Sequence, residues 1–166
     1  MITSLFFELQ SKLQEVFPEA WIDLDFGQLE AEPEHFPLPE HCLLIDISNI
    51  EWRTVSAGVQ QGNATIRLRN AFRFSEDTYS NVPDQLSGIE KMKDMEKLHF
   101  HVQGFSGDYF TEFNRIQSGF EKRDDGRRIY AIAYNTEITD ESTITIGNGG
   151  YSGANPNPVY APELAV

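Results

Sequence analysis

The segment Ala64–Phe74, ATIRLRNAFRF, carries the clearest secondary-structure signal in the chain. Apolar and polar residues alternate along it, so that Ile66, Leu68 and Phe72 share one face of an extended strand. The opposite face carries three cationic side chains: Arg67, Arg69 and Arg73. The alternation therefore predicts a strand of a sheet with one face buried in the core and the other face charged.

The segment before this strand predicts its partner. Residues 42–52, CLLIDISNIEW, place Leu43, Ile45 and Ile47 on one face of a second strand. The two strands are predicted to form a hairpin. Its connection, TVSAGVQQGN at 54–63, is rich in Gly, Gln and Asn and predicts a long, mobile tip that includes Val59, Gln60 and Gln61.

The remaining periodicities predict two helices and three further strands. Residues 3–17 have helical apolar spacing, with Thr3 or Ser4 as the N-cap, and residues 85–103 form a second helix that ends at a Gly104 C-cap. A short strand is expected in WIDLDFG, and two more on either side of the DDG turn. The predicted fold is α+β: an antiparallel sheet with both helices packed on one face.

The chain is predicted to contain one domain, residues 1–146. Residues 147–166, GNGGYSGANPNPVYAPELAV, are rich in Gly, Asn and Pro and are predicted to form a flexible tail. Acidic residues outnumber basic ones 26 to 13, for a net charge of −13. This balance argues against a nucleic-acid-binding surface, which requires Lys and Arg. No signal peptide or membrane span is expected, and the single cysteine, Cys42, fits a reducing compartment.

No pattern in the sequence predicts a catalytic or metal centre. His99 and His101 fall about 200° apart on the predicted helix, so they cannot bind one metal. The segment GFSG at 104–107 lacks the lysine of a phosphate-binding loop and is interpreted as a helix cap and a turn. His35, His41 and Cys42 match no zinc-site spacing. We therefore predict a protein that is not an enzyme and has no cofactor.

Two carboxylates and the three arginines allow competing interpretations. Asp23 and Asp25 share one face of the short strand, and a solvated strand face is favoured over acid–base chemistry. The arginines can pair across strands with residues such as Asp46 and Glu51. They can also form a docking face for an acidic neighbour, and the two roles are compatible.

The order of these parts resembles a known family. Three parts of the chain are similar to the tail-terminator or tail-completion proteins of long-tailed phages, which are often carried by prophages. These parts are the helix ending in FPEAWIDLDFGQ, the strand pair LLIDISNIEW…ATIRLRNAF, and the helix running into KLHFHVQGFSGDYFTEFNRIQSGFEKRDDG and RIYAIAYNTEIT. The resemblance spans residues 3–140. It rests on element order and residue character and includes no catalytic signature.

The resemblance implies a structural virion protein that assembles as a hexameric ring capping the tail tube, without a cofactor. Its implied partners are copies of itself and the tail-tube and neck (connector) proteins. Its implied location is the host cytoplasm during assembly and then the virion. The proline-rich loop EAEPEHFPLPEH at 30–41 and the tail depart from the compact pattern of the family. The position in the particle therefore stays open between tail termination, the neck and head–tail joining. Arg67, Arg69, Arg73 and the tip residues Val59, Gln60 and Gln61 are the predicted subunit interface.

Two other classes of function are kept beside this one. The first is a small-ligand or regulatory binding domain, with the ligand held between the sheet and the helices. The second is a metal-assisted hydrolase that uses His35, His41 and neighbouring carboxylates.

Overall fold

A computed structural model describes residues 1–31, 37–73, 85–123 and 125–142, and within these ranges the chain forms two helices and five strands. The order of elements predicted from the sequence is confirmed. The elements are α1 (Ile2–Val16), β1 (Trp21–Leu24), β2 (His41–Ser56), β3 (Val59–Arg73), α2 (Gln85–Val102), β4 (Asn114–Glu121) and β5 (Arg127–Asp140).

The sheet is mixed, which corrects the prediction of an antiparallel sheet. The strand order is β1-β2-β3-β5-β4, and β1 runs parallel to β2 while every other pair is antiparallel. Parallel neighbours need a connection of roughly a dozen residues or more to return the chain to the same end of the sheet. Residues 25–40, between β1 and β2, supply that length.

The β2 and β3 strands continue through the segment that was predicted to be a long loop. Thr54 pairs with Gln60 and Ser56 with Val59, so the turn contains only Ala57 and Gly58. Gly58 has a φ of 80°, a left-handed conformation that glycine adopts without strain. The prediction of a loop at 54–63 was wrong because β3 is held there on both sides, by β2 and by β5.

The main core lies between the two helices and one face of the sheet. Helix α1 buries Leu5, Leu9 and Leu13, and α2 buries Leu98 and Val102. These residues belong to one cluster with Leu43, Ile45, Ile66, Leu68, Ile132 and Tyr134 of the sheet. A smaller cluster under the opposite face contains Leu29, Cys42, Leu44, Ala71 and Ile129.

The helix ends differ from their predictions in one detail. The N-cap of α1 is Met1 and it makes no side-chain capping bond, so the prediction of Thr3 or Ser4 as the cap was wrong. The predicted C-cap of α2 is confirmed, because Gly104 follows the helix with a φ of 77°. Neither described helix is both long and apolar enough to cross a membrane.

Helix α2 leads into β4 through a turn with an aromatic interior. Phe105, Phe110 and Phe113 form this interior, with ring centroids 5.4 to 5.9 Å apart. The backbone closes on itself where Gly104 N–H donates to the Phe113 carbonyl at 2.9 Å. This turn sets where β4 begins relative to α2.

Some predictions fall on residues outside the described ranges. They concern residues 32–36 of the proline-rich loop, with Glu34 and His35, and the tail at 147–166.

Candidate assembly surfaces

The three arginines of β3 have different environments. Arg69 is 7% exposed, whereas Arg67 and Arg73 are exposed. Arg67 donates to Glu121 at 2.8 Å. The alternative partners considered from the sequence, Asp46 and Glu51, are not hydrogen-bonded to these arginines among the described residues.

Arg69 is the centre of a charged network that we call the Arg69 cluster, made of Arg69, Asp25, Glu30 and Glu121. Its Nε donates to Glu121 Oε1 at 3.0 Å, and Nη2 donates to Glu121 Oε2 at 2.8 Å, a bidentate pair. Its Nη1 donates to Asp25 Oδ2 at 2.9 Å, and Glu30 accepts from both Nη atoms. Burial alone would lower the pKa of Arg69, but the hydrogen bonds that it donates to Glu30, Glu121 and Asp25 outweigh burial and raise the pKa.

The Arg69 cluster corrects the interpretation of Asp25. The sequence favoured a solvated strand face for Asp23 and Asp25, but the Asp25 side chain is 9% exposed and pairs with Arg69. A second arginine extends this hydrogen-bond network, because Arg123 Nη2 donates to the Leu29 carbonyl and to Asp125. The two arginines therefore fasten segment 25–30 and the β4–β5 turn onto the face of the sheet away from the helices.

The Arg69 cluster makes stability depend on pH in acid. The hydrogen bond from Arg69 is the largest of the effects that lower the pKa of Glu30 from its ordinary value of 4.5. A lowered folded-state pKa gives stability that is fully present above the unfolded-state pKa and lost as pH falls through the folded value. We expect Glu30→Gln to lose less stability than the native chain between about pH 5 and pH 3, measured by urea unfolding. Equal losses in the two chains would contradict this expectation.

The opposite face of the sheet carries an open groove between α2, β4 and β5. The groove has a volume of about 820 Å³. Its apolar lining includes Met92, Phe100, Phe120 and Tyr130, and its rim carries Lys93 and Arg115. Phe100 is 79% exposed, Phe120 54% and Met92 42%. Exposed aromatic and methionine side chains grouped in this way make the groove a candidate binding surface.

One wall of the groove contains His99, which has a packing role. Its ring stacks on the buried Tyr134, and Nδ1 lies 3.2 Å from the Tyr134 hydroxyl. Burial, and then the charge of Arg115, lower the pKa of His99. His99 is therefore a packing residue beside Tyr134.

Strand β4 forms one edge of the sheet. Seven of its eight residues are exposed, including Ile116 at 59% and Phe120 at 54%, and no described strand pairs with its outer side. An edge of this kind presents unpaired backbone N–H and C=O groups that can pair with another chain.

The β2–β3 hairpin and its turn form one end of the same sheet in the direction of the strands. Residues 51–57, the end of β2 and the first residue of the turn, are exposed throughout, among them Trp52 at 39% and Val55 at 55%. Trp52 packs across the backbone of Gly62, where any Cβ would meet its ring at 2.8 Å. The predicted interface residues Val59, Gln60 and Gln61 lie in this hairpin. We call its end the hairpin tip, defined as residues 51–61 with the adjoining Glu112, Glu137 and Asp140.

Of the remaining sequence candidates, the two that the structure describes, His41 and Cys42, do not form a site together. His41 and Cys42 are neighbours in β2 and point to opposite faces: His41 bonds to Asn70 at 2.8 Å, while Cys42 is buried in the smaller cluster. Burial raises the pKa of the Cys42 thiol, so it stays protonated. The described residues contain no group of three His, Cys, Asp or Glu side chains placed to hold a metal ion.

Comparison with known proteins leaves the family open. No protein-family model matches the chain, and no curated protein matches it.

The groove and the β4 edge were missed from sequence because both depend on where α2 lies relative to β4. Their one local signal was Phe100, an aromatic residue on the polar side of the helical pattern.

Proposed function

We propose that this protein is a non-enzymatic virion assembly subunit, which closes as a ring on the tail tube of a long-tailed phage and meets the neck. The proposal includes tail termination and head–tail joining as positions in the particle. The subunit works through its outer surfaces, with no cofactor, and its partners are copies of itself, the tail-tube protein and the neck proteins. It acts in the host cytoplasm during assembly and then in the virion.

The exposed β4 edge beside the apolar groove is the observation that carries the proposal. Edge strands of monomeric proteins are normally short, charged or covered, because a long, bare edge promotes aggregation. Here the edge carries Ile116 and Phe120 in solvent, and Phe120 lines the groove together with Met92 and Phe100 of α2. Such a surface suits a subunit that meets a neighbour.

The overall charge also supports a ring through which DNA passes. The chain has a net charge of −13. An acidic inner wall repels the phosphates of a duplex, so DNA slides through the ring without being gripped. A closed ring of identical subunits also needs a heterologous interface, in which two different surfaces of the subunit meet.

The groove favours a second candidate, a small-ligand binding domain. Its volume of about 820 Å³ is within the range of ligand sites, roughly 300–1,000 Å³. Ligand sites bury most of the ligand, however, and this groove is open along the outside of α2 with Phe100 in solvent. The open shape fits a protein segment better.

Native mass spectrometry and electron microscopy of the purified chain test the proposal. We expect a closed ring, about six subunits, at high protein concentration or on mixing with a phage tail-tube protein. Ile116→Lys should shift the population toward monomer, because a charge on an edge strand opposes strand pairing. Ser11→Lys, on the exposed side of α1, is the matched control and should leave the ring intact. A monomer under all these conditions, carrying a bound small molecule, would favour the ligand-binding candidate.

A further inference from the structure

The groove is positively charged on a strongly acidic protein. Its lining contains three cations, Lys93, Lys97 and Arg115, against one carboxylate, Glu96. Lys97 is partly engaged, because its Nζ donates to the Val16 carbonyl at 2.8 Å. Lys93 and Arg115 are both exposed beside the apolar floor. A partner that fits the groove therefore needs exposed apolar side chains surrounded by carboxylates.

The hairpin tip has that chemistry. It presents Trp52 and Val55 to solvent. The carboxylates around them are Glu51, Glu112, Glu137 and Asp140, and Arg53 is the cation of the group, held by Glu137 at 2.8 Å. Within the described residues, the tip is thus acidic and apolar where the groove is basic and apolar.

We infer that the hairpin tip of one copy of this chain docks in the groove of the next copy. This inference rests on the proposed function and adds to it the two surfaces that meet. Complementary charge of this kind steers encounter and fixes orientation, while the exposed aromatic and methionine side chains supply the buried area.

The positions of the two surfaces on β5 make the contact head-to-tail. Tyr130 of β5 lines the groove, while Glu137 and Asp140 of the same strand belong to the hairpin tip. Glu137 lies seven positions after Tyr130, which is about 24 Å along a strand. The tip and the groove are therefore two different surfaces of one subunit, centred at different positions along β5 and adjoining where Glu112 and Arg115 lie three positions apart. A heterologous ring contact joins two different surfaces in this way.

The β3 arginines are less suited to receive the tip. Arg69 is buried and its bonds are satisfied by three carboxylates of its own chain, and Arg67 pairs with Glu121. They also lie on the sheet face opposite the groove. The part of the predicted interface that this inference retains is the hairpin end with Val59, Gln60 and Gln61.

A charge exchange on the full chain tests the inference. Lys93→Glu with Arg115→Glu should raise the dissociation constant between subunits at least about tenfold at low salt, and so should Glu51→Lys with Glu112→Lys. Mixing the two double variants should restore association to within about threefold of the native value, because the opposite charges meet again. Glu15→Lys with Glu19→Lys, outside both surfaces, is the control and should have no comparable effect.

A cross-link gives a second readout that does not depend on the strength of association. Val55→Cys on one copy and Phe100→Cys on another should form a disulfide-linked dimer on oxidation. Cys42 does not interfere, because it is fully buried. A mixture of Val55→Cys and Ser11→Cys chains should not cross-link.

The outcomes separate this inference from the proposed function. Rings that persist in both charge-reversed variants, without the Val55–Phe100 adduct, overturn the tip-in-groove contact and leave the ring proposal standing. A Val55–Val55 adduct as the main product also overturns it, since the contact would then be isologous. A native chain that stays monomeric at every concentration and on mixing with a tail-tube protein, together with no adduct between the Val55→Cys and Phe100→Cys chains, overturns both.

Discussion

Replacing Arg69 by alanine is expected to lower the free energy of unfolding by about 3–5 kcal/mol. The reason is the number of charges left behind. Asp25, at 9% side-chain exposure, loses its guanidinium partner, and Glu121, at 20%, loses the bidentate pair and keeps the hydrogen bond from Arg67. Carboxylates taken out of water without a counter-charge must be protonated or move to solvent, and either response loosens segment 25–30 or the β4–β5 turn.

Arg67→Ala is the matched control for this experiment. Arg67 is on the same strand and shares Glu121 as a partner, but 46% of its side chain is exposed. Solvent-exposed ion pairs contribute roughly 0–1 kcal/mol, so Arg67→Ala should unfold close to the native midpoint in urea. Equal destabilisation by the two substitutions would show that Arg69 is no more structural than its exposed neighbour.

This difference affects how assembly variants are interpreted. A charge reversal at Arg69 that abolishes oligomers reports loss of folding, so it cannot test an interface. Arg67 and Arg73, both exposed, stay predicted interface residues, and their reversal is informative because the fold should survive it. Unfolding midpoints must therefore accompany every oligomer measurement.

The parts of the fold that depend on local periodicity were predictable from the sequence. Leu5, Leu9 and Leu13 recur at helical spacing, and Ile66 and Leu68 alternate with arginines, so their elements and buried faces follow from the chain alone. Gly104 ended α2 at the predicted residue for a conformational reason that is also local.

The parts that failed depend on contacts between distant residues. The direction of β1 is decided by the connection at residues 25–40 and by pairing with Cys42 to Ile45. The segment 54–63 has the composition of a loop, and its pairing with β2 and β5 overrides that preference. The partners of Arg69 lie 39, 44 and 52 positions away, on segment 25–30 and at the end of β4, so no spacing in the sequence pointed to them.

The candidate surfaces show the same division. The charges and aromatic residues of the groove are visible in the sequence, but α2 was predicted only as an amphipathic helix. Met92 of α2 is 42% exposed and lines the groove together with Phe120 of β4. An unfilled space between a helix and an edge strand is a property of packing, and only the structure shows it.

The second large effect is expected at Phe113, where alanine should cost about 3–5 kcal/mol of unfolding free energy. Phe113 is fully buried, and its ring lies 5.4 Å from Phe110 and 6.0 Å from Tyr134. Its N–H donates to the Phe105 carbonyl and its own carbonyl accepts from Gly104. Removing the ring leaves a cavity at the point that fixes the start of β4 relative to α2.

Phe120→Ala is the comparison that separates folding from assembly. Phe120 is the same residue type on β4, but its side chain is 54% exposed and lies against Tyr130 at 5.1 Å. It should cost under about 1 kcal/mol, because little buried area is lost, yet it removes part of the groove that the hairpin tip is expected to enter. Urea unfolding and native mass spectrometry of both variants should therefore give opposite results: Phe113→Ala loses stability, and Phe120→Ala keeps its fold but loses rings. If Phe120→Ala assembles like the native chain, the groove is not a subunit contact, whatever the result for Phe113.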